Sequence, residues 1–276
     1  MDLWYMEKFS ENWGLSFRIK RGIYSACSDY QRIDVLETEE FGKLLLLDAA
    51  IMFTERDEFT YHEMLVHVPL LTHPSPKKIL VIGGGDGGTL REITRHPQVE
   101  EIVQVEIDQE VIRVSKEFFP QLASGFSDPR VKIEVADGIK YMAQCPPDAY
   151  DVILVDSTDP KGPAEGLFTH QFYAHCHRAL KDDGILTVQS GSPYFQQDLL
   201  ARVHQAFKDL FPIAKIYLSG VISYGGLWAF SLGSKRYDPT RGPVRDFPMK
   251  GLRYYTPQIH KGAFILPKYL EELLGL

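Results

Sequence analysis

Acidic side chains follow the apolar, strand-like runs in the middle of this sequence. They are Asp86, Glu106, Asp137, Asp156 and Asp159. Parallel strands of an α/β sheet bring such ends to one edge, where ligands bind. Turn formation accounts for Asp159 and helix capping for Asp137, but neither accounts for acids at four successive strand ends. The pattern predicts one binding site rich in carboxylates.

The first of these strand ends carries a glycine run with an acid inside it. The run is Gly83-Gly84-Gly85-Asp86-Gly87-Gly88. Glycines let a backbone approach a ligand closely. A phosphate-binding turn gains from positive potential, so a carboxylate in its centre argues against a phosphate ligand. The loop therefore favours a cationic ligand.

Glu106 stands 23 positions after Gly83, at the end of the second strand. In nucleotide-binding α/β folds an acidic residue at an offset of roughly 20 residues reaches a ribose hydroxyl. This spacing predicts nucleoside binding by Glu106. Asp108 has an equally good interpretation as the cap of the next helix.

Two ligand chemistries would suit several carboxylates around a nucleoside pocket. Carboxylates suit Mg²⁺, but no lysine follows the glycine run as it does in a P-loop. The other candidate is a cationic substrate. A sulfonium nucleoside and an alkyl amine would both be attracted to such a site.

The elements that position these residues alternate along the chain. Apolar strand-like runs cover 79–82, 102–107, 131–135, 152–155 and 185–188, and amphipathic segments cover 89–95, 110–118, 171–180 and 197–211. This order predicts an α/β fold, a doubly wound and mostly parallel sheet with helices on both faces. Segments 213–218 and 227–232 are expected to pair antiparallel at one edge.

The first part of the chain has a different pattern. Residues from about 16 to 56 form short strand patterns, and 32–38 is expected to pair with 43–47 across 39–42. Helical spacing then begins at Phe59 and stops before Pro74. We therefore divide the chain into an N-terminal β domain, residues 1–57, and a catalytic domain, residues 58–276.

The amino-acid composition limits the kinds of partner that this protein could bind. The chain has 276 residues, 44% of them hydrophobic, a net charge of −7 and a pI near 5.7. This balance argues against nucleic acid or an anionic membrane as the main partner. Cys27, Cys145 and Cys176 form no CxxC pair, and no leader or membrane-spanning stretch is evident. We expect a cytoplasmic protein.

Five motifs in one order carry a resemblance to a known family. They are Tyr61-His62-Glu63, the glycine run, Val105-Glu106-Ile107-Asp108, Asp137-Gly138 and Asp156-Ser157-Thr158-Asp159-Pro160. In this order and spacing the chain strongly resembles spermidine synthases, the aminopropyltransferases of polyamine synthesis, over nearly its whole length. The acid inside the glycine loop and the Asp-x-x-Asp-Pro segment distinguish that family from ordinary methyltransferases.

The resemblance implies both a fold and a reaction. The fold would be a Rossmann-like, methyltransferase-type doubly wound sheet with a small N-terminal antiparallel β domain. The reaction would transfer the aminopropyl group of decarboxylated S-adenosylmethionine to putrescine, giving spermidine and methylthioadenosine. It would need no metal and no cofactor beyond that co-substrate. The family also implies a homodimer or homotetramer.

The resemblance implies roles for individual residues as well. Asp156 would be the base, aided by Tyr61. Contacts with the nucleoside would come from Gln31, Gly83, Gly84, Gly85, Glu106, Asp137, Gly138 and Pro163. Contacts with the amine groups would come from His62, Asp86, Ser157, Thr158, Asp159, Gln189 and Tyr224. Trp13 matches a further position in the wall of the substrate groove.

Other functions compete with this interpretation. A small-molecule methyltransferase shares the fold, but Asp86 and the 156–159 segment argue against it. A nicotinamide dehydrogenase would place a pyrophosphate against Asp86. A non-catalytic polyamine or nucleoside sensor would not need Asp156 and Tyr61. The polar, breaker-rich segment 158–168 is predicted to be a mobile lid, with an ordinary connecting loop as the alternative.

Overall fold

The computed structural model describes residues 2–247 and 250–276. The chain begins with an antiparallel sheet of five strands in sequence order. These are β1 (Leu3–Ser10), β2 (Trp13–Cys27), β3 (Arg32–Thr38), β4 (Lys43–Leu47) and β5 (Ala50–Thr54). Strand β3 pairs antiparallel with β4, as the sequence predicts, and the register places Glu37 opposite Lys43. Strand β1 was not predicted, and β5 lies within the predicted strand region of about 16 to 56 without bounds of its own.

A single buried helix follows this sheet. Helix α1 (Glu58–Thr72) is buried at every position except Phe59. A helix that is buried on all sides belongs to the interior of a protein. This helix packs against strands of the main sheet and against the helix that follows the glycine run. It ends before Pro74, as predicted. Its first two turns carry Glu58, Tyr61 and His62 to the site described below.

The main sheet has seven strands in the order β11-β12-β10-β9-β6-β7-β8. The strands are β6 (Lys78–Gly83), β7 (Glu101–Glu106), β8 (Val131–Val135), β9 (Tyr150–Asp156), β10 (Leu180–Gln189), β11 (Ile213–Val221) and β12 (Gly226–Ser234). Strands β8, β7, β6, β9 and β10 run parallel, and β11 and β12 close one edge antiparallel. The predicted α/β class, mostly parallel sheet and antiparallel edge are confirmed.

Helices cover both faces of this sheet. They are α2 (Gly88–Thr94), α3 (Gln109–Phe118), α4 (Gly138–Gln144), α5 (His170–Ala179), α6 (Gln197–Leu210), α7 (Pro257–Gly262) and α8 (Lys268–Leu274). Helices α2, α3, α5 and α6 match predicted segments within two residues, whereas α4, α7 and α8 were not predicted. None of the helices in the described ranges is both long and apolar enough to cross a bilayer.

The central strand β6 shows how the core is divided. Ile79 and Val81 belong to the hydrophobic cluster that contains α1, whereas Leu80 and Ile82 belong to the cluster on the opposite face. All four side chains are buried. A parallel strand covered on both faces is a continuous apolar run rather than an alternating one. The rigid sheet places the following glycine loop at its carboxyl edge.

Candidate active site

A cavity of about 370 Å³ opens at the carboxyl ends of the parallel strands, against the N-terminal sheet. All but two of the predicted site residues line it. They are Gln31, Tyr61, Gly83, Gly84, Gly85, Asp86, Glu106, Asp137, Gly138, Asp156, Ser157, Thr158, Asp159, Pro163, Gln189 and Tyr224. The exceptions are His62, which lies behind Asp86, and Trp13. Cavities of this size at the carboxyl edge of a parallel sheet bind small molecules in α/β proteins.

The glycine run lies directly against neighbouring strand ends. Gly83 has a φ of +84°, and a Cβ there would meet the carbonyl oxygen of Asp156 at 2.1 Å. A Cβ on Gly85 would meet Glu106 Oε2 at 2.9 Å. The Gly84 N–H donates to the Asp156 carbonyl across 2.8 Å. The glycines therefore bring the loop close to two acidic residues of the protein itself.

Asp156, at the end of β9, has both carboxylate oxygens engaged. The Tyr61 hydroxyl donates to Oδ1 at 2.8 Å, and the Thr89 hydroxyl donates to Oδ2 at 2.6 Å. Burial and the nearby Asp86 raise the pKa of Asp156. Burial and Asp156 also hold the pKa of Tyr61 well above its ordinary value, so its hydroxyl stays protonated. The result is an oriented carboxylate with an increased affinity for a proton.

Asp86 is fixed through one of its two oxygens. Oδ1 accepts from the Gly88 N–H at 2.6 Å and lies 3.4 Å from His62 Nε2. The other ring nitrogen of His62, Nδ1, lies 2.8 Å from Glu58 Oε2. Burial lowers the pKa of His62, but Asp86 and Glu58 more than offset this and raise it well above its ordinary value. This environment favours the charged form of the imidazole behind Asp86.

Glu106 and Gln31 form the end of the cavity that faces the N-terminal sheet. Glu106 Oε1 accepts from the Asp108 N–H at 2.9 Å, and burial raises the pKa of Glu106 to about 7. Asp108 caps α3 by accepting from the Glu110 N–H, so the capping interpretation holds for it. Its other oxygen accepts from Gln31 Nε2 at 2.9 Å. This bond ties the N-terminal sheet to the Glu106 end of the cavity.

Asp137, Gly138 and Pro163 lie together along another wall. Asp137 caps α4 by accepting from the Ile139 N–H at 2.9 Å, and it also lines the cavity. A Cβ on Gly138 would lie 2.6 Å from a methyl group of Ile82. The small residue keeps α4 close to the sheet. This wall combines apolar surface with one carboxylate, which suits a nucleobase.

The far end of the cavity carries a second set of polar groups. Asp159 accepts from Gln196 Nε2 at 2.9 Å, and burial raises the pKa of Asp159. Gln189 Nε2 donates to the carbonyls of Ser157 and Thr158 at 3.1 and 3.3 Å. These bonds connect the segment after β9 to Gln189 and Gln196, beside Asp156.

Aromatic rings complete this end. Tyr61 and Tyr224 meet edge to face with centroids 5.8 Å apart, and the Tyr224 hydroxyl donates to the Met52 carbonyl. Trp13 does not line the cavity, but it stacks on Phe195, which does, at 4.6 Å. Such rings offer cation–π contacts to an amine.

Sequence reasoning missed several residues of the site. Glu7, on β1, lines the cavity, and burial raises its pKa to about 7. Thr89 and Gln196 bind Asp156 and Asp159. Glu7 gives no local signal, because the residues of β1 do not alternate between apolar and polar. Thr89 and Gln196 give no local signal either, because their partners lie far away in sequence.

Two compact groups of side chains in the described residues resemble a cation site. One is His73, Asp151 and Asp183, and the other lies beside the cavity. His62, Asp86 and Asp156 each place one ligand atom within 4.8 Å of the others. Both nitrogens of His62 face carboxylates, which suits an imidazolium, and an imidazolium has no lone pair for a metal. The two carboxylates face the cavity and fit an ammonium or sulfonium. A reaction without a metal stays a prediction.

A doubly wound sheet with acids at its carboxyl edge and a glycine loop that carries Asp86 defines a nucleoside-binding enzyme of the methyltransferase-like fold class. Comparison with known proteins narrows this class. A family profile described as "Spermine/spermidine synthase domain" matches residues 58–241, and one described as "Spermidine synthase tetramerisation domain" matches residues 3–55. The chain belongs to the spermine/spermidine synthase family.

Individual relatives agree with this membership. The chain is 47% identical to the polyamine aminopropyltransferase of Shouchella clausii, over 99% of this chain and 100% of that one. It is 46% identical to the polyamine aminopropyltransferase of Bacillus subtilis, over 99% of both chains. The resemblance seen in the sequence is confirmed, and the methyltransferase, dehydrogenase and sensor alternatives are not favoured.

Solved structures give the same answer for the fold. A spermidine synthase in complex with the transition state analogue AdoDATO superposes with a TM-score of 0.93 at 40% identity, covering 99% of this chain and 95% of that one. The spermidine synthase of Thermotoga maritima gives a TM-score of 0.91 at 40% identity, covering 99% and 94%. The predicted Rossmann-like fold with an N-terminal β domain is confirmed.

Proposed function

We propose that this chain transfers the aminopropyl group of decarboxylated S-adenosylmethionine to putrescine, giving spermidine and methylthioadenosine. The observation that carries the proposal is the pair Asp86 and Asp156, whose carboxylate oxygens lie within 4.8 Å of each other at one cavity. Two acids there attract a cationic donor and a cationic acceptor together. The family membership supports this reaction over methyl transfer.

The donor would lie with its nucleoside toward Glu106. Ionised Glu106 accepts hydrogen bonds from the ribose hydroxyls, and the wall of Asp137, Gly138 and Pro163 holds the adenine. The glycine loop then faces the sulfonium. Asp86 pairs with the aminopropyl ammonium, and it would repel the α-carboxylate of ordinary S-adenosylmethionine.

The acceptor would lie between Asp156 and the far end of the cavity. Asp159 and Glu7 are acidic there and bind the distal ammonium. Tyr224 and the carbonyls held by Gln189 line the path between the two ends. The attacking nitrogen then stands at Asp156, in line with the methylene and the sulfur.

Putrescine must lose a proton before it can attack. An alkyl amine with a pKa near 10.4 costs roughly 4 to 5 kcal/mol to deprotonate at pH 7. Asp156 accepts this proton, because burial and Asp86 raise its pKa. Tyr61 and Thr89 hold the carboxylate toward the nitrogen. The nitrogen forms its bond to the methylene carbon while the carbon–sulfur bond breaks, and the sulfur keeps the electron pair as methylthioadenosine leaves.

We also propose that the chain forms homodimers or homotetramers through its N-terminal sheet. Trp4 and Met6 lie on one face of the edge strand β1 and are 57% and 58% exposed. Large apolar side chains grouped on an exposed face are typical of an interface. Sedimentation should give a multiple of the chain mass, and Trp4→Lys should reduce it. A monomeric wild-type chain would contradict this assembly.

We keep the division into residues 1–57 and 58–276 and the cytoplasmic location as proposals. The N-terminal sheet ends at Thr54 and α1 begins at Glu58, which supports the boundary. Cys27, Cys145 and Cys176 are free thiols, which suits a reducing compartment.

The test of the proposed function offers decarboxylated S-adenosylmethionine with one amine at a time. The amines are putrescine, cadaverine, agmatine and spermidine, and both products are quantified by mass. We expect spermidine and methylthioadenosine in equal amounts from putrescine, with the highest kcat/KM. Donor turnover without any aminopropylated amine would overturn the proposal.

A further inference from the structure

His62 is enclosed by charged groups although it does not line the cavity. Its side chain is 2% exposed, with Nδ1 at 2.8 Å from Glu58 Oε2 and Nε2 at 3.4 Å from Asp86 Oδ1. A neutral imidazole carries one N–H, so only the imidazolium presents an N–H to both carboxylates, as a hydrogen bond to Glu58 and as an ion pair with Asp86. The ring also lies against Gly88, where a Cβ would be 2.4 Å from its nearest atom. The geometry favours a charged ring in a fixed orientation.

Glu58 is held in turn by Arg91 of α2. Arg91 Nη1 and Nη2 donate to the two oxygens of Glu58, each across 2.9 Å, and Arg91 Nε donates to Glu92 at 2.7 Å. Paired bonds of this kind fix the position of a carboxylate. Burial raises the pKa of Glu58, but His62 and Arg91 lower it to about 2. Glu58 is therefore ionised at any pH where the protein works.

The two cavity acids need a neighbouring cation if both are to be charged. Two carboxylates that share a site disfavour each other's ionisation. The hydroxyls of Tyr61 and Thr89 face Asp156 as neutral donors, and Glu106 and Tyr224 add no positive charge. His62 has its ligand atom within 4.8 Å of both Asp86 and Asp156. Its charge stabilises both ionised acids at once.

We propose that Glu58, clamped by Arg91, is a positioning residue that keeps His62 charged so that Asp86 and Asp156 are ionised together. This inference rests on the proposed function, in which Asp86 binds the donor and Asp156 accepts the proton. Glu58 does not line the cavity and acts through His62.

Replacing Glu58 by glutamine tests this role with almost no change in shape. Glu58→Gln removes one of the two carboxylates that stabilise the imidazolium, so His62 releases its proton more easily. Loss of that charge raises the pKa of Asp156. The acid limb of kcat/KM for putrescine should therefore move to higher pH by about one unit. Arg91→Lys, which keeps the charge and loses the paired bonds, should give a smaller shift in the same direction.

The charge of His62 can be observed without turnover. In the full enzyme labelled with ¹³C-histidine, His62→Gln identifies the resonance of His62. We expect it to stay that of an imidazolium through the range of about pH 5 to 8 in which an unperturbed histidine loses its charge, and to titrate at a lower pH in Glu58→Gln than in the wild-type enzyme. A neutral ring in the wild-type enzyme, or a resonance that Glu58→Gln leaves unchanged, would overturn the inference.

Asp128→Asn is the matched control. Asp128 pairs with Arg130 as Glu58 pairs with Arg91, and neither side chain lines the cavity. This variant should leave the acid limb of kcat/KM and the His62 resonance unchanged. A shift of the acid limb in Asp128→Asn as large as that in Glu58→Gln would also overturn the inference.

Binding of methylthioadenosine, which has no ammonium for Asp86, reports whether Glu58→Gln is folded. A wild-type enzyme that transfers no aminopropyl group would refute the proposed function. The ¹³C resonance of His62 would still show whether the ring is charged, because that measurement does not need turnover.

Discussion

Tyr61 donates its hydroxyl hydrogen bond to Asp156 Oδ1 across 2.8 Å, joining the first helix of the catalytic domain to the end of a central strand. The two residues are far apart in sequence and meet because α1 is buried against the sheet. Thr89 binds the opposite oxygen, so the carboxylate has one orientation. A carboxylate held in this way would need no reorganisation to act as the proposed base when the amine arrives.

Replacing Asp156 by asparagine should separate chemistry from binding. Asp156→Asn keeps the shape and removes the proton acceptor, so kcat should fall by about 10²- to 10⁴-fold. The affinity for methylthioadenosine, measured by calorimetry, should change by less than about threefold. Unchanged turnover would remove Asp156 from the role of base.

Tyr61→Phe should reduce kcat less than Asp156→Asn does, by about tenfold, because Thr89 still orients the carboxylate. Tyr217→Phe is the control, since it removes another buried tyrosine bond, to the Met64 carbonyl, away from the cavity. It should lower stability by about 1 kcal/mol and leave kcat intact. Equal kinetic effects in the two variants would contradict a specific role for Tyr61.

Nucleoside binding should depend on pH through Glu106. Burial raises its pKa to about 7, and only the ionised form accepts both ribose hydrogen bonds, so affinity for methylthioadenosine should weaken as pH falls below about 7. Glu106→Gln should remove this dependence. An affinity for methylthioadenosine that does not change with pH in this range in the wild-type enzyme would contradict the assignment.

The same pKa shift affects the stability of the free enzyme. A carboxyl with a raised pKa binds its proton more tightly in the folded state than in the unfolded state, so Glu106 should make the free enzyme less stable as pH rises from 4.5 to about 7.

Gly88→Ala should damage the site through His62. The added methyl group would lie 2.4 to 2.6 Å from three atoms of the ring, which is confined by Glu58 and Asp86. We expect a large increase in KM for the donor. Gly262→Ala is the control, because a Cβ there meets nothing within 4 Å and its φ is ordinary. If Gly88→Ala behaves like Gly262→Ala in donor kinetics, the packing described here is wrong.

The carboxylates of the sheet edge could be predicted because strand order alone brings them together. Asp86, Glu106, Asp137 and Asp156 each follow a recognisable apolar run, and the cavity contains all four. Residue roles within the cavity stay predictions. His62 and Trp13 lie outside the cavity wall, which differs from expectation. For His62 the reason is that its neighbours Glu58 and Asp86 enclose the ring behind the wall.

Elements without a local signal were missed. The turn between β4 and β5 uses Asp48 and Ala49 at positive φ, where the sequence offers no glycine to mark a hairpin. Helix α4 buries only Met142, so its apolar pattern is too weak to detect. Glu7 lies on an exposed-looking strand and enters the cavity only because the N-terminal sheet packs across the catalytic domain.

The most direct test of the account compares the two donors. The wild-type enzyme is given putrescine with either decarboxylated or ordinary S-adenosylmethionine, and nucleoside products are followed. Methylthioadenosine should form from the decarboxylated donor with a kcat/KM at least about 100-fold higher, since Asp86 repels the extra carboxylate. Equal use of both donors, or methyl transfer from ordinary S-adenosylmethionine to the amine, would contradict the account.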